Sequence, residues 1–240
     1  RFHTVVAHKL RTPMSIMVSN LSLIKNKMEM MTPEQMTEYL QGAIGGADRL
    51  ANEIRKILTY IDAPLALNLG EPARLEMLPE MLTETGKLLG IENLLLSLPE
   101  HLRESAIALT PDALEMILHE LLENAHKFHP THTPQVEISV GQTTPGFVNL
   151  RVADNGMNLT IEQLRWAWLP YVQGEKDFTG ELPGMGIGFP MVATLVWKAG
   201  GDLRLRNRPD GPGIVVEMKI PLESTLRELQ RDAAPYQKSE

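Results

Sequence analysis

Apolar residues recur every three or four positions through the first quarter of the chain. Leu10, Met14, Met17, Leu21, Ile24 and Met28 alternate steps of four and three, the heptad seam of a coiled coil or helix bundle. Met31-Thr32-Pro33-Glu34-Gln35 interrupts it. Thr32 can cap a new helix, Pro33 suits a first position that needs no N–H, and Gln35 completes a capping box. A second seam follows through Met36, Leu40, Ala43, Ala47, Leu50, Ile54, Ile57 and Ile61, with Gly45 and Gly46 expected to weaken it locally. Two helices of roughly 30 residues, each ~45 Å long, then form an antiparallel hairpin. One hairpin cannot bury both stripes, whereas two can as a four-helix bundle. A homodimer through residues 1–62 is therefore predicted.

Pro64 marks a change to mixed α and β patterning. Residues 73–89 read as helical, and 111–128 as an amphipathic helix capped by Thr110 with Pro111 at its first position. Val136 to Val140 and Phe147 to Val152 alternate as strands around a Thr-Thr-Pro-Gly turn. A short helix is expected over 160–168 and an irregular stretch over about 169–188. A further helix runs to about Lys198 and ends at Gly200-Gly201. Leu203 to Arg206 and Ile214 to Ile220 form a hairpin turning at Pro209-Asp210-Gly211. The expected architecture is α plus α/β: a helical hairpin over 1–63, an α/β domain over 64–222, and a polar tail over 223–240.

Composition narrows the function. The net charge is −7, and no basic face offers itself to nucleic acid. The chain has no cysteine, which removes disulfides, thiolate metal sites and cysteine nucleophiles. No apolar run is long enough to span a bilayer. The chain opens on Arg1 inside a helical pattern, so it is expected to be a cytoplasmic piece of a longer protein, with a sensor domain or membrane anchor upstream.

Four strings carry candidate chemistry. The first is His8-Lys9-Leu10-Arg11-Thr12-Pro13. His8 lies beside the seam, so its ring is expected to reach solvent. An imidazole nitrogen is nucleophilic near neutral pH, and Pro13 should loosen the helix there. The second runs from His119 to Pro130. Glu120 and Asn124 are four apart and share a helix face. Their oxygens suit Mg²⁺, and Lys127 lies one step further towards phosphate charge. The third, Asp154-Asn155-Gly156, follows a strand and taken alone is a turn signal. The fourth, Gly184-Met185-Gly186-Ile187-Gly188, opens a helix. Its glycines let backbone N–H groups approach phosphates at the helix N-terminus. It matches neither the dinucleotide fingerprint nor a Walker A string. Between the last two lies Trp168 to Lys176, polar and irregular, which suits a mobile lid. His119, His126, His129 and His132 invite a metal reading, which the absence of cysteine and the second string outweigh.

Taken in order, these strings resemble the H, N, G1, F and G2 boxes of sensor histidine kinases, and the resemblance spans residues 2 to 222. It implies the Bergerat ATP-binding fold, shared with gyrase, Hsp90 and MutL, behind a dimerising hairpin. It implies ATP and Mg²⁺ as ligands and His8 as the nucleophile that attacks the γ-phosphate. Glu120 would serve catalysis and, with Asn124, the metal. Asn124, Lys127, Asp154, Gly156, Tyr171, Lys176, Gly184, Gly186 and Gly188 would hold the nucleotide, with Asp154 accepting from the adenine amino group. The partner it implies is the receiver domain of a response regulator, whose aspartate takes the phosphoryl group; Thr12 would assist its removal there. Two residues depart from the pattern. Lys9 stands where an acidic residue normally helps take the histidine proton, which opens the alternative of a degenerate kinase acting as an ATP-binding scaffold or receiver phosphatase. Asn158 stands where a second G1 glycine is usual, and is expected to stiffen that loop.

Overall fold

The computed structural model describes residues 2–67, 70–169 and 186–225, the side chains of residues 2–6 and of His8 aside. Contacts divide the chain into two compact units, with Ile61 in the first and Asp62 in the second.

In the first unit α1 (Phe2–Lys27) and α2 (Pro33–Ala66) form the hairpin. The capping box at its turn is present. Thr32 N–H donates to Gln35 Oε1 at 3.1 Å, and Gln35 N–H donates to Thr32 Oγ1 at 3.3 Å. The helix runs through Pro64 to Ala66 rather than stopping at the proline. Gly46 is a packing residue rather than only a weak point. A Cβ there would stand 3.0 Å from both the Pro13 carbonyl oxygen and the Met17 nitrogen, whereas one on Gly45 would meet open space. Much of the predicted seam stays exposed in the single chain, with Met14, Leu21, Met28, Leu40, Ile54 and Ile61 between 43% and 55% accessible.

The second unit is a five-stranded sheet covered on one face by helices. The strands are β2 (Asn93–Ser97), β4 (Gln135–Thr144), β5 (Phe147–Asp154), β6 (Asp202–Asn207) and β7 (Ile214–Pro221), in the order β2-β4-β5-β7-β6. All pairings are antiparallel except β2 with β4. A two-stranded pair, β1 (Ala73–Arg74) and β3 (Ala106–Ile107), stands apart. α3 (Leu78–Leu89), α4 (Pro111–Lys127) and α6 (Gly188–Lys198) form the helical layer, with α5 (Ile161–Trp166) as a short connector. Alternation on β5 buries Val148, Leu150 and Val152, and Leu114, Ile117, Leu118 and Leu122 of α4 and Val192 and Leu195 of α6 are buried as well.

The region read as one helix over 73–89 is divided. Residues 73–74 pair as β1, 75–77 make a 3₁₀ turn, and the α-helix starts at Leu78. Leu75 is wholly buried, so tertiary packing decides this stretch over propensity. Gly200 and Gly201 do end α6: Gly200, at φ 77°, donates to Trp197 O, and Gly201 to Val196 O, both at 2.9 Å.

Candidate functional site

Thr110 sets the entry to α4. Its hydroxyl accepts from Ala113 N–H at 3.3 Å and donates to the Ala66 carbonyl at 2.8 Å, so one buried side chain caps α4 and satisfies the end of α2. The helix thus fixed presents Glu120 and Asn124 on one face. The first residue of α6 lies against them. A Cβ on Gly188 would collide with the Glu120 carboxylate and come within 3.3 Å of Asn124 Nδ2. Glycine is therefore what lets a helix N-terminus, with its unpaired N–H groups, sit beside a carboxylate and an amide. Hard oxygen donors beside an anion-favouring helix end fit Mg²⁺ with bound phosphate. His119 and Glu123 join Glu120 there, with one ligand atom of each lying within 4.8 Å of the others.

Further along α4, Lys127 Nζ lies 5.2 Å from the centre of the Phe128 ring. The Phe128 carbonyl faces Gly156, where a Cβ would come within 3.4 Å of it. Asp154 ends β5 and is almost wholly buried, its Oδ1 accepting from Gly156 N–H at 2.8 Å. Burial raises its pKa above the ordinary carboxylate value. The Gly156 and Ile214 N–H groups, and then the charges of Arg208 and His129, oppose that rise. The β6–β7 turn closes over this loop: Gly213, at φ 107°, packs so tightly on the Asp154 carbonyl that no side chain fits.

Asn158 does more than stiffen its loop. Its Oδ1 accepts from Gly213 N–H at 2.8 Å, and Asn207 bonds both the N–H and the carbonyl of Leu159 at 2.8 Å. Asn155 Oδ1 accepts from Gln135 N–H at 2.8 Å. These ties are not legible in the sequence, because each joins residues 20 to 55 positions apart.

The structure thus gathers Glu120, Asn124 and Gly188 at the middle of α4, and Asp154 and Gly156 by Phe128 just beyond its C-terminus, with Lys127 as the last residue of the helix. Gly186 groups with the helical unit and takes a left-handed φ of 66°. Tyr171, Lys176 and Gly184 lie outside the described residues, as does the His8 side chain. Thr12 is exposed on α1. Trp168, the first residue of the lid string, meets Phe189 of α6 edge-on at 5.7 Å. Of the histidines weighed for metal, His132 (φ 55°) donates Nδ1–H to the His126 carbonyl at 3.0 Å, closing the end of α4. Among the described residues, only His119 groups with two other potential ligands.

Residues 110–224 match the family of histidine kinase-, DNA gyrase B- and HSP90-like ATPases. The matched segment carries α4, strands β4 to β7 and α6. Over most of its length the chain is similar to histidine kinases. It is 24% identical to the signal transduction histidine-protein kinase BaeS of Escherichia coli over 96% of this chain and 48% of that one. It is 23% identical to an uncharacterised sensor-like histidine kinase of Rhizobium meliloti over 94% of this chain and 43% of that one. The chain thus spans less than half the length of these relatives. Two solved structures share the fold. The mycobacterial sensor histidine kinase MprB has a TM-score of 0.51 at 21% identity, over 64% of this chain and 98% of that one. Full-length ShkA in complex with AMPPNP has a TM-score of 0.53 at 19% identity, over 92% of this chain and 45% of that one.

Proposed function

We propose that the chain is the phosphoacceptor and ATP-binding core of a sensor histidine kinase, autophosphorylating on His8 and passing the phosphoryl group to a receiver aspartate. The observation that carries this reading is the arrangement along α4, in a segment that matches this ATPase family. Glu120, Asn124 and the α6 N-terminus mark a phosphate end, and Asp154 with Gly156 marks a base end. Glu120 and Phe128 are eight residues apart, ~12 Å along the helix axis, a span for one nucleoside triphosphate to bridge.

Each group then has a task. Asp154 accepts from the base amino group. The backbone N–H groups at Gly188 receive phosphate oxygens, and Lys127 adds positive charge. Mg²⁺ held by Glu120 and Asn124 supplies charge neutralisation on the phosphates when bound. A His8 ring nitrogen attacks the γ-phosphorus, the bond to the ADP oxygen breaks, and the imidazole proton passes to solvent water. Lys9, when protonated, cannot accept that proton. The exposed apolar seam of α1 and α2 supports a homodimer through the hairpin, since a second copy buries what one leaves open. The sensor domain and the receiver partner belong to the same reading, with the sensor upstream in the full-length protein.

Incubation with γ-labelled ATP and Mg²⁺ tests it. Wild type should take up acid-labile label, and His8→Ala should take up none. Label on His8→Ala equal to wild type sinks the assignment. Label that appears only after Lys9→Glu would transfer the protein to the nucleotide-binding scaffold or phosphatase class.

A further inference from the structure

The loop after α4 carries a histidine whose tautomer is dictated by its neighbours. His129 Nδ1 lies 3.3 Å from the backbone nitrogens of both Thr131 and Thr133, with the Thr131 hydroxyl at 3.2 Å. Backbone N–H groups can only donate. Nδ1 is therefore the acceptor, and the neutral ring carries its proton on Nε2. Nε2 has no partner among the described residues, although the side chain is half-buried.

Its place in the fold gives that donor a use. Phe128, the preceding residue, turns its carbonyl to Gly156, whose N–H holds the Asp154 carboxylate. The ring also lies close enough to Asp154 to act on it electrostatically. Closing the turn needs only an acceptor at the Nδ1 position, which a short polar side chain supplies. The oriented Nε2–H is left over.

We propose that His129 is a specificity-determining residue of the nucleotide site, its Nε2–H donated to a ring nitrogen of the purine whose amino group Asp154 reads. This rests on the nucleotide reading above. Asp154 and His129 would then form an acceptor and donor pair matched to adenine: one takes a hydrogen from the exocyclic amine, the other gives one to an imine nitrogen. Such a pair rejects a base with either group missing, because a half-buried polar atom is left unmatched.

His129→Asn separates this role from turn closure. Asparagine Oδ1 can accept the two backbone N–H bonds but offers no donor at the Nε2 position. Calorimetry on the whole chain with ATP and with adenine nucleotides lacking N1, N3 or N7 in turn is the measurement. The variant should melt with wild type and bind ATP about five- to tenfold more weakly. Wild type should lose a similar factor with one deaza analogue, and His129→Asn should lose nothing further with it. Wild-type affinity in His129→Asn, or indifference of wild type to all three analogues, overturns the proposal. If Asp154→Asn loses ATP while His129→Asn does not, this inference falls and the nucleotide reading stands. If neither wild type nor any variant binds adenine nucleotide, both fall.

Discussion

Asp154 keeps a carboxylate where water hardly reaches it, and folding raises its pKa above the ordinary 3.8, with burial the largest cause. A raised native value means the folded state holds the proton more tightly than the unfolded chain. Stability therefore declines as pH climbs from about 3.8 through the native value, and above it the buried charge is a standing cost. Asp154→Asn removes the charge and keeps an acceptor for Gly156 N–H. At pH 7 the variant should melt at or above wild type, with the gain vanishing below the ordinary carboxylate range. Its affinity for adenine nucleotide should fall about tenfold or more, because a charged acceptor is lost. Melting curves against pH with parallel calorimetry check this, and a lower melting temperature with intact binding contradicts it. The residue types at Asp154, Glu120 and Asn124 were legible because their strings are short and local. The tautomer of His129 was not, since it depends on which backbone groups turn back towards the ring.

At the scale of elements, α4, the β6–β7 hairpin and the glycine stop of α6 could be read from caps and turns, which act within a few residues. β2 went unread: a five-residue run beside a turn becomes a strand only through parallel pairing with β4, some forty positions on. In the sequence Gly46 shows only as a weakness of α2, because propensity is all the sequence displays. Its value lies in the close approach to Pro13 and Met17. Gly45 and Gly46 make an internal control. Gly46→Ala should cost about 1–3 kcal/mol from overpacking. Gly45→Ala should stabilise α2 by up to ~1 kcal/mol through propensity. Urea denaturation of both variants decides, and equal effects at the two positions would refute the close-packing assignment.

At the scale of the whole molecule, the hairpin leaves a stripe of large apolar residues exposed, the kind of surface that marks an interaction site. Leu21→Glu combined with Ile54→Glu should yield a monomer at micromolar concentration by sedimentation, with adenine-nucleotide affinity unchanged. A dimer that persists through both substitutions would move the interface elsewhere. The heptad seams made this surface readable from the first residues, because the same periodicity that forms the helices exposes what one hairpin cannot cover. The ties from Asn155, Asn158 and Asn207 act at this scale too, fastening the loop after β5 to strands β4 and β6 and to the β6–β7 turn. A loop held this way is already ordered before any ligand arrives, so on the proposed function capturing a base there would spend little conformational entropy, and selectivity would be carried by fixed atoms rather than by a segment that must close.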